Sequence, residues 1–213
     1  YPPSYNYQTP WWRHYRFIAD YQARLTYALM QGKAVRDILL VHPLSSAWMR
    51  YDPSAPNRDL GDMDAGFKQV MQNLLDLHRD FDLGDEWLMA EHGAVEGREL
   101  AVGQCRYKAV IVPPMTNLES PTVELLEKFA AAGGLLIFMH PLPTCVDGAV
   151  SSRARELAMR EGVMRIGSSR KHTQEMLDAL LPAEVSLASR ETGREASGVL
   201  LQLRRDGDRS VVF

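Results

Sequence analysis

The chain has 213 residues, with 24 lysines and arginines against 27 aspartates and glutamates, and a formal net charge of −3. That charge gives no support to a nucleic-acid binder, which should carry a basic face, so no nucleic-acid partner is expected. A hydrophobic content of 46% excludes a disordered chain. The two cysteines, Cys105 and Cys145, form no CxxC pair, so neither a disulfide scaffold nor a structural zinc site is predicted. This cysteine usage favours a reducing, cytoplasmic compartment. No apolar run reaches the roughly 20 residues of a membrane helix, so we expect no membrane partner.

The first predicted helix is rich in aromatic residues. Thr9 and Pro10 are typical of a helix start, with a hydroxyl cap followed by proline at the first helical position. Apolar residues then recur at helical spacing, and the earliest of them are Trp11, Trp12 and Tyr15. Aromatic rings in such a pattern usually belong to a core, but an exposed cluster marks an interface. These three rings are therefore the interface candidates.

Short, continuously apolar segments predict buried parallel strands at 36–41, 107–112 and 135–139. After the first strand comes a polar, proline-containing loop over 44–61, and Asp62 then caps a helix. A second helix opens at Ser120 and follows the second strand. Alternating strands and helices are typical of α/β proteins. We therefore predict an α/β fold of the flavodoxin-like kind, a mostly parallel three-layer sheet with an N-terminal aromatic helix and a C-terminal β-hairpin.

Weaker patterns complete the chain. They predict strands at 79–83, 163–166 and 198–203, and helices at 86–91, 151–160 and 173–181. Gly93 and Gly97 bracket a predicted tight turn before 99–102. Asp85 and Glu86 at one helix start are explained by capping and by the helix dipole. Asp206 and Gly207 predict the turn of the C-terminal hairpin.

Both ends of the sequence favour the interpretation that the chain is a fragment of a longer protein. The chain opens at Tyr1 without a methionine or a secretory leader, and it closes at Phe213 within the returning strand of the hairpin. An isolated hairpin is marginal in water. Two interpretations stay open: the hairpin forms the edge of the local sheet, or it begins a further domain.

Ligands of open parallel sheets bind beyond the carboxyl ends of the strands. The residues that follow the predicted strands are therefore the candidates for a ligand rim: His42, Trp48, Tyr51, Met115, Thr116, Asn117 and His140. The two histidines could form an acid/base or metal pair. No acidic residue lies at ligand spacing beside them, however, and each ring could equally bond to a loop backbone.

The sequence contains none of the common motifs for phosphate binding or for a catalytic nucleophile. Neither GxGxxG nor GxxxxGK[ST] follows a strand, and no G-x-S-x-G or G-x-C-x-G turn occurs. The strand that ends at Val112, where a glutaminase-like fold could present its nucleophile, runs into two prolines instead. The sequence therefore predicts no cofactor, no metal and no catalytic residue within this chain.

Several segments together carry a family resemblance: 2–7, 10–12, 21–25, 81–86, 107–115 and 129–134. The first three resemble the exit helix of the catalytic barrel in large multidomain glycoside hydrolases of the α-L-rhamnosidase type. The others resemble the glutamine-amidotransferase-like, flavodoxin-type module beside that barrel, which is similar to the β-galactosidase trimerisation domain. The resemblance covers residues 1–148 well and the rest loosely, and no catalytic residue of the family can be carried over.

The resemblance implies three segments: a helix left from a preceding barrel (1–33), the flavodoxin-like domain (34–182) and a hairpin leading into a following domain (183–213). It implies a non-catalytic structural or assembly module of a carbohydrate-active hydrolase, whose catalytic carboxylates lie outside this chain. The expected partners are the remaining domains of the parent enzyme, a second copy of the chain and the parent's carbohydrate substrate.

Two alternatives from other classes stay open. One is a small hydrolase or amidotransferase-like enzyme that uses His42, His140 and one of the two thiols, and it requires a thiol beside an imidazole. The other is a carbohydrate-binding module that contacts sugars directly through Trp48, Tyr51, Thr116 and Asn117.

Overall fold

The computed structural model describes residues 6–55 and 58–213. A 3₁₀ turn at Trp12–His14 precedes the helices, which are α1 (Tyr15–Met30), α2 (Leu44–Arg50), α3 (Arg58–Asp76), α4 (Glu86–His92), α5 (Ser120–Ala131), α6 (Arg153–Ala158) and α7 (Arg170–Leu180). The strands are β1 (Lys33–Ala34), β2 (Ile38–Val41), β3 (Phe81–Gly84), β4 (Gly93–Glu96), β5 (Glu99–Val102), β6 (Cys105–Tyr107), β7 (Ala109–Val112), β8 (Asn117–Leu118), β9 (Leu135–Met139), β10 (Cys145–Val146), β11 (Ala149–Val150), β12 (Met164–Ile166), β13 (Leu203–Asp206) and β14 (Arg209–Val212).

A five-stranded sheet forms the centre of the fold, with the spatial order β12-β9-β7-β2-β3. All four neighbouring pairs are parallel. Its three inner strands are the continuously apolar segments that the sequence predicted, because a strand covered on both faces needs apolar side chains on both. The predicted α/β class and the parallel character of the sheet are confirmed.

Alternate residues of the strands enter two separate cores. On one face Leu39, Val110 and Phe138 pack with residues of α4, α5 and α6. On the other face Leu40 and Ile111 pack with residues of α3 and α7, among them Phe67, Leu74 and Leu177. The period-2 alternation of a strand thus divides one apolar run between two helical layers. Helices cover both faces of the sheet, so its ligand-accessible parts are its ends.

The structure divides into two compact units. One contains the described residues up to Val35 together with Gln202–Phe213, since β1 pairs antiparallel with β13 and β13 pairs with β14. The other, Arg36–Leu201, contains the parallel sheet and two small sheets, β4-β5-β6 and β11-β10-β8. The prediction that 34–182 is a domain flanked by pieces of two neighbouring domains, 1–33 and 183–213, depends on chain beyond these residues and stays a prediction.

Two predictions around the first polar loop are wrong. The segment 44–61 is not only loop, because α2 occupies Leu44–Arg50. Helix α3 begins at Arg58 rather than at Asp62, and Asp59 supplies the negative charge that a first helical turn favours. The unpatterned polar residues around these starts gave no periodic signal.

The ends of the chain also depart from prediction. Helix α1 begins at Tyr15 rather than after Thr9, whose hydroxyl donates back to the carbonyl of Asn6. The first strand of the last hairpin starts at Leu203, not at Gly198, because Ser197 and Gly198 lie in a turn. Its predicted tight connection is confirmed: Asp206 pairs with Arg209 across a two-residue loop. The remaining weak elements are present, with ends shifted by up to three residues.

Among the described residues, no helix combines the length and the apolar character that a membrane crossing requires.

Candidate binding site at the strand ends

The chain order of the sheet strands reverses between β2 and β7. Numbered along the chain within the sheet, the spatial order is 5-4-3-1-2, so β3 lies on one side of β2 and the later strands β7, β9 and β12 lie on the other. A reversal of this kind opens a crevice beyond the carboxyl ends of the two strands, where open α/β sheets bind their ligands. The loops after Val41 and Val112 therefore define the first place to search for a site.

Ser46 of α2 fills this crevice. Its side chain is fully buried, and its hydroxyl donates to the carbonyl oxygen of Asn117 at 3.1 Å. The hydroxyl oxygen of Ser46 in turn accepts hydrogen bonds from the backbone N–H groups of Thr116 at 3.1 Å and Asn117 at 2.8 Å. One hydroxyl thus joins the loop after β2 to the loop after β7. The point at which related architectures hold a ligand is closed here by the chain itself.

The next strand end carries a buried carboxylate. Asp85 follows β3 and caps α4, with its carboxylate accepting from the N–H groups of Trp87 and Leu88, which confirms the predicted capping role. Glu86 is only 5% exposed. Its Oε2 accepts from the Ser45 hydroxyl at 2.6 Å and its Oε1 from the Glu119 N–H at 2.8 Å. Glu86 therefore ties together the loops that follow three strands.

The electrostatic setting of Glu86 is unusual for a carboxylate. Desolvation by burial is the largest influence and raises its pKa above the ordinary value of 4.5, and the neighbouring carboxylate of Glu119 acts in the same direction. The hydrogen bonds from the Ser45 hydroxyl and the Glu119 backbone oppose that shift, as does the nearby hydroxyl of Thr122. The charged form is thus hydrogen-bonded but not neutralised.

A small pocket opens beside Glu86. It has a volume of about 100 Å³ and is lined by Leu44, Ser45, Trp48, Asp85, Glu86, Trp87 and Glu119. Two indole rings stand at it, with Trp48 66% and Trp87 70% exposed. The lining contains acidic and aromatic residues and no basic side chain.

His42 lies in a different recess. A cleft of about 430 Å³ separates α2 from α3, and its lining is mostly apolar. The imidazole of His42 faces the ring of Phe67, with centroids 5.4 Å apart. Asp64 also lines the cleft, but its carboxylate pairs with Lys68 at 2.6 Å. The cleft therefore presents a mostly apolar surface, with few polar groups free to bind a ligand.

The other rim candidates do not gather at one site. Thr116 and Asn117 meet Ser46 through their backbones, and the Asn117 side chain accepts from the N–H of Gly148 at 2.9 Å. Met115 is buried in the core. Tyr51 and His140 are exposed. In the residues that the structure describes, no hydrogen bond or ring contact joins the His140 imidazole to that of His42.

Within 6–55 and 58–213, no hydrogen bond joins either thiol to a histidine ring. Cys145 is buried in β10, with its Sγ 3.9 Å from the hydroxyl oxygen of Thr144. Cys105 is exposed on β6, near Tyr107, whose hydroxyl donates to Asp82 at 3.0 Å. Burial, with Asp82 and Cys105 adding to it, raises the pKa of Tyr107 far above its ordinary value, so this phenol acts as a fixed donor.

The three interface candidates are close together at the start of α1. The interface candidates pack on one another, since Trp12 stacks on Tyr15 with centroids 5.6 Å apart and Trp11 lies 6.1 Å from the same ring. Across 6–55 and 58–213, no group of three or more histidines, cysteines or carboxylates is arranged to hold a metal. No protein-family model matches the chain, and a search of curated proteins finds no match to it.

Sequence reasoning missed the residues that build the pocket around Glu86. Glu119 lies directly after β8 and Trp87 lies three residues after the end of β3. The strand-end rule could have found Trp87 if the predicted strand at 79–83 had been searched, but β8 was not predicted at all. Ser46 gives no sequence signal. A serine in a polar stretch becomes visible only when the loops it joins are seen together.

Proposed function

We propose that this chain is a non-catalytic α/β module of a carbohydrate-active glycoside hydrolase of the α-L-rhamnosidase type. The catalytic carboxylates of the enzyme then lie outside residues 1–213. The observation that carries the proposal is the closure of the sheet's switch point by Ser46, because the place that would receive a substrate or cofactor holds a buried structural hydrogen-bond network instead.

The strand order supports the finer assignment of the fold. Read from the β3 edge, the parallel sheet has the order 2-1-3-4-5, which is that of flavodoxin-like doubly wound sheets. The segments that resemble the hydrolase module lie at structurally central places: 81–86 joins β3 to α4, 107–115 contains β7 and its exit, and 129–134 closes α5. We therefore assign the module to the glutamine-amidotransferase-like group.

The aromatic helix supports a role in assembly. None of the residues of α1 is buried, and Phe17, Tyr21 and Tyr27 are strongly exposed. A large exposed apolar surface on a folded chain marks an interaction site. We propose that this surface, with the rings of Trp11, Trp12 and Tyr15, contacts the remaining domains of the parent enzyme or a second copy of the module.

A hydrolysis assay tests the proposal. We expect purified 1–213 to leave aryl α-L-rhamnosides and aryl β-D-galactosides uncleaved, while the parent enzyme cleaves its own substrate under the same conditions. Turnover by the isolated chain at ordinary enzyme rates would overturn the assignment. If that turnover were abolished by Cys145→Ala or Cys105→Ala, the thiol-dependent alternative would replace it.

A further inference from the structure

We propose that the pocket around Glu86, formed with Trp48, Trp87 and Glu119, binds a compact organic cation: an ammonium group such as the head group of choline or a methylated amine. The proposal concerns a site that the family resemblance does not assign, and it is independent of the hydrolase assignment.

The charge of the pocket is the first argument. Asp85, Glu86 and Glu119 supply three carboxylates to the lining, and no basic side chain contributes to it. Buried charges in proteins are normally paired, because an isolated carboxylate loses its hydration without compensation. Yet Glu86 receives hydrogen bonds only from neutral donors, and within the described part of the chain no lysine, arginine or histidine forms an ion pair with any of the three. A bound cation would supply the missing charge.

The two indoles are the second argument. Indole is the best of the aromatic side chains at attracting a cation over its face. Trp48 and Trp87 are each about two-thirds exposed, and in the described residues neither ring is stacked on another aromatic ring. Aromatic rings left uncovered at the lining of an acidic recess can recognise alkylated ammonium groups, because the methyl groups contact the rings while the charge faces the carboxylates.

The size of the pocket selects the kind of cation. Sites for drug-sized ligands occupy roughly 300–1,000 Å³, whereas this pocket has a volume of about 100 Å³. It therefore has room for a compact head group rather than for a whole sugar ring. A sugar would also need donors for its ring and hydroxyl oxygens. Apart from the indole N–H groups, the polar side chains here are carboxylate acceptors and the Ser45 hydroxyl, which already donates to Glu86.

The titration of the pocket gives the sign of a pH effect. The groups that face Glu86 are the carboxylates of Asp85 and Glu119 and the hydroxyls of Ser45 and Thr122. Burial raises the pKa of Glu86, so its charge is lost on acidification earlier than that of an ordinary glutamate. Affinity for a cation should therefore fall as the pH is lowered into the range in which Glu86 takes up a proton.

Binding of choline chloride to the whole chain tests the inference. The titration is followed by tryptophan fluorescence and by the indole N–H resonances, at constant ionic strength with sodium chloride as the balancing salt. We expect saturable binding of choline and at least about tenfold weaker binding of 3,3-dimethyl-1-butanol, its neutral isostere, since the isostere keeps the shape and loses the charge. We also expect no effect of methyl α-L-rhamnoside on the resonances of Trp48 and Trp87.

Two variants with matched controls locate the site. Trp87→Ala should weaken choline binding about threefold to thirtyfold, whereas Leu88→Ala, an exposed change on the same helix, should leave it unchanged. Glu119→Gln should weaken it about threefold, and Glu91→Gln serves as its control. The Glu119 side chain forms no hydrogen bond in the described structure, so its variant tests the charge even if a change at buried Glu86 prevents folding.

Three results would overturn the inference. They are the absence of a saturable change with choline, equal binding of the neutral isostere, and equal affinity in Glu119→Gln and the unaltered chain. Saturable binding of methyl α-L-rhamnoside at Trp48 and Trp87 without binding of choline would also overturn it, and would favour the carbohydrate-binding alternative.

Discussion

At the scale of single residues, two buried polar side chains organise the carboxyl edge of the sheet. Ser46 satisfies two backbone N–H groups and one carbonyl, and Glu86 receives a hydroxyl and a backbone N–H from two other loops. Neither is placed by hydrophobic patterning. Each is tolerated in the interior because its hydrogen-bonding groups are paired, which is the general condition for burying a polar group.

Ser46→Ala removes the hydroxyl and leaves the N–H groups of Thr116 and Asn117 buried without that partner. Each unsatisfied group costs about 1–3 kcal/mol, so we expect the free energy of unfolding to fall by about 2–4 kcal/mol in urea titrations. Ser152→Ala, on an exposed hydroxyl that bonds only to Glu156, should change it by less than about 0.5 kcal/mol. Equal effects of the two substitutions would refute the bridging role.

Glu86 makes the stability depend on pH in a direction opposite to that of a salt-bridged glutamate. Its folded-state pKa lies above the ordinary 4.5, so between these two values the folded state binds more protons than the unfolded state. Stability therefore falls as the pH rises through this window. In urea titrations at a series of pH values, the unaltered chain should lose stability relative to Glu86→Gln on going upward from pH 4.5. Parallel curves would contradict this.

At the scale of elements, His78 fastens the irregular segment 183–201 to the end of α3. Its backbone has a left-handed φ of 54°, a conformation that costs a non-glycine residue energy. Its ring is buried, with Nδ1 2.9 Å from the Glu195 carboxylate and Nε2 3.1 Å from the carbonyl oxygen of Val199. The contacts of the ring offset the energetic cost of the left-handed backbone, since both ring nitrogens have a partner in the distant segment.

His78→Ala should release this segment while the parallel sheet stays folded, because neither core cluster contains His78. Limited proteolysis followed by mass spectrometry should show new cleavage sites within 183–201, with cleavage there faster by tenfold or more, the equivalent of about 1.4 kcal/mol. His92→Ala, on an exposed side chain, is the control. Cleavage confined to other parts of the chain would argue against the fastening role.

The sequence predicted the elements whose signal is local. The strands β2, β7 and β9 were found because burial on both faces requires unbroken apolar runs, and α5 was found through its apolar spacing and the proline after Ser120. Helix α2 was missed because only Ser46 of its seven residues is buried, so it has no apolar stripe. The order of the strands, and with it the meeting of Ser46 with Asn117, depends on long-range pairing that no local pattern reports.

At the scale of the whole molecule, the two compact units differ in how their apolar residues are used. Both core clusters fall entirely within Arg36–Leu201. The unit that contains the termini has the long helix α1 with no buried residue. An amphipathic helix is usually stabilised by packing of its apolar face, and here that face is exposed.

We expect 1–213 to self-associate through this surface. Sedimentation velocity should show concentration-dependent species larger than a monomer, and Trp12→Ser combined with Phe17→Ser should shift the distribution to monomer, because the variant removes exposed apolar area. Tyr51→Ser, which changes an exposed aromatic residue of the other unit, should leave the distribution unchanged. A monodisperse monomer of the unaltered chain would contradict the prediction.

The placement of the four tryptophans has a practical consequence for anyone who studies this chain in solution. Trp11 and Trp12 are partly exposed, Trp48 and Trp87 strongly so, and none of the four belongs to either core. Their emission will already be red-shifted in the native state, so denaturation will move it little, and loss of structure is better followed by circular dichroism. The emission of these exposed indoles should instead respond to ligands or partners that bind at the surface of the molecule.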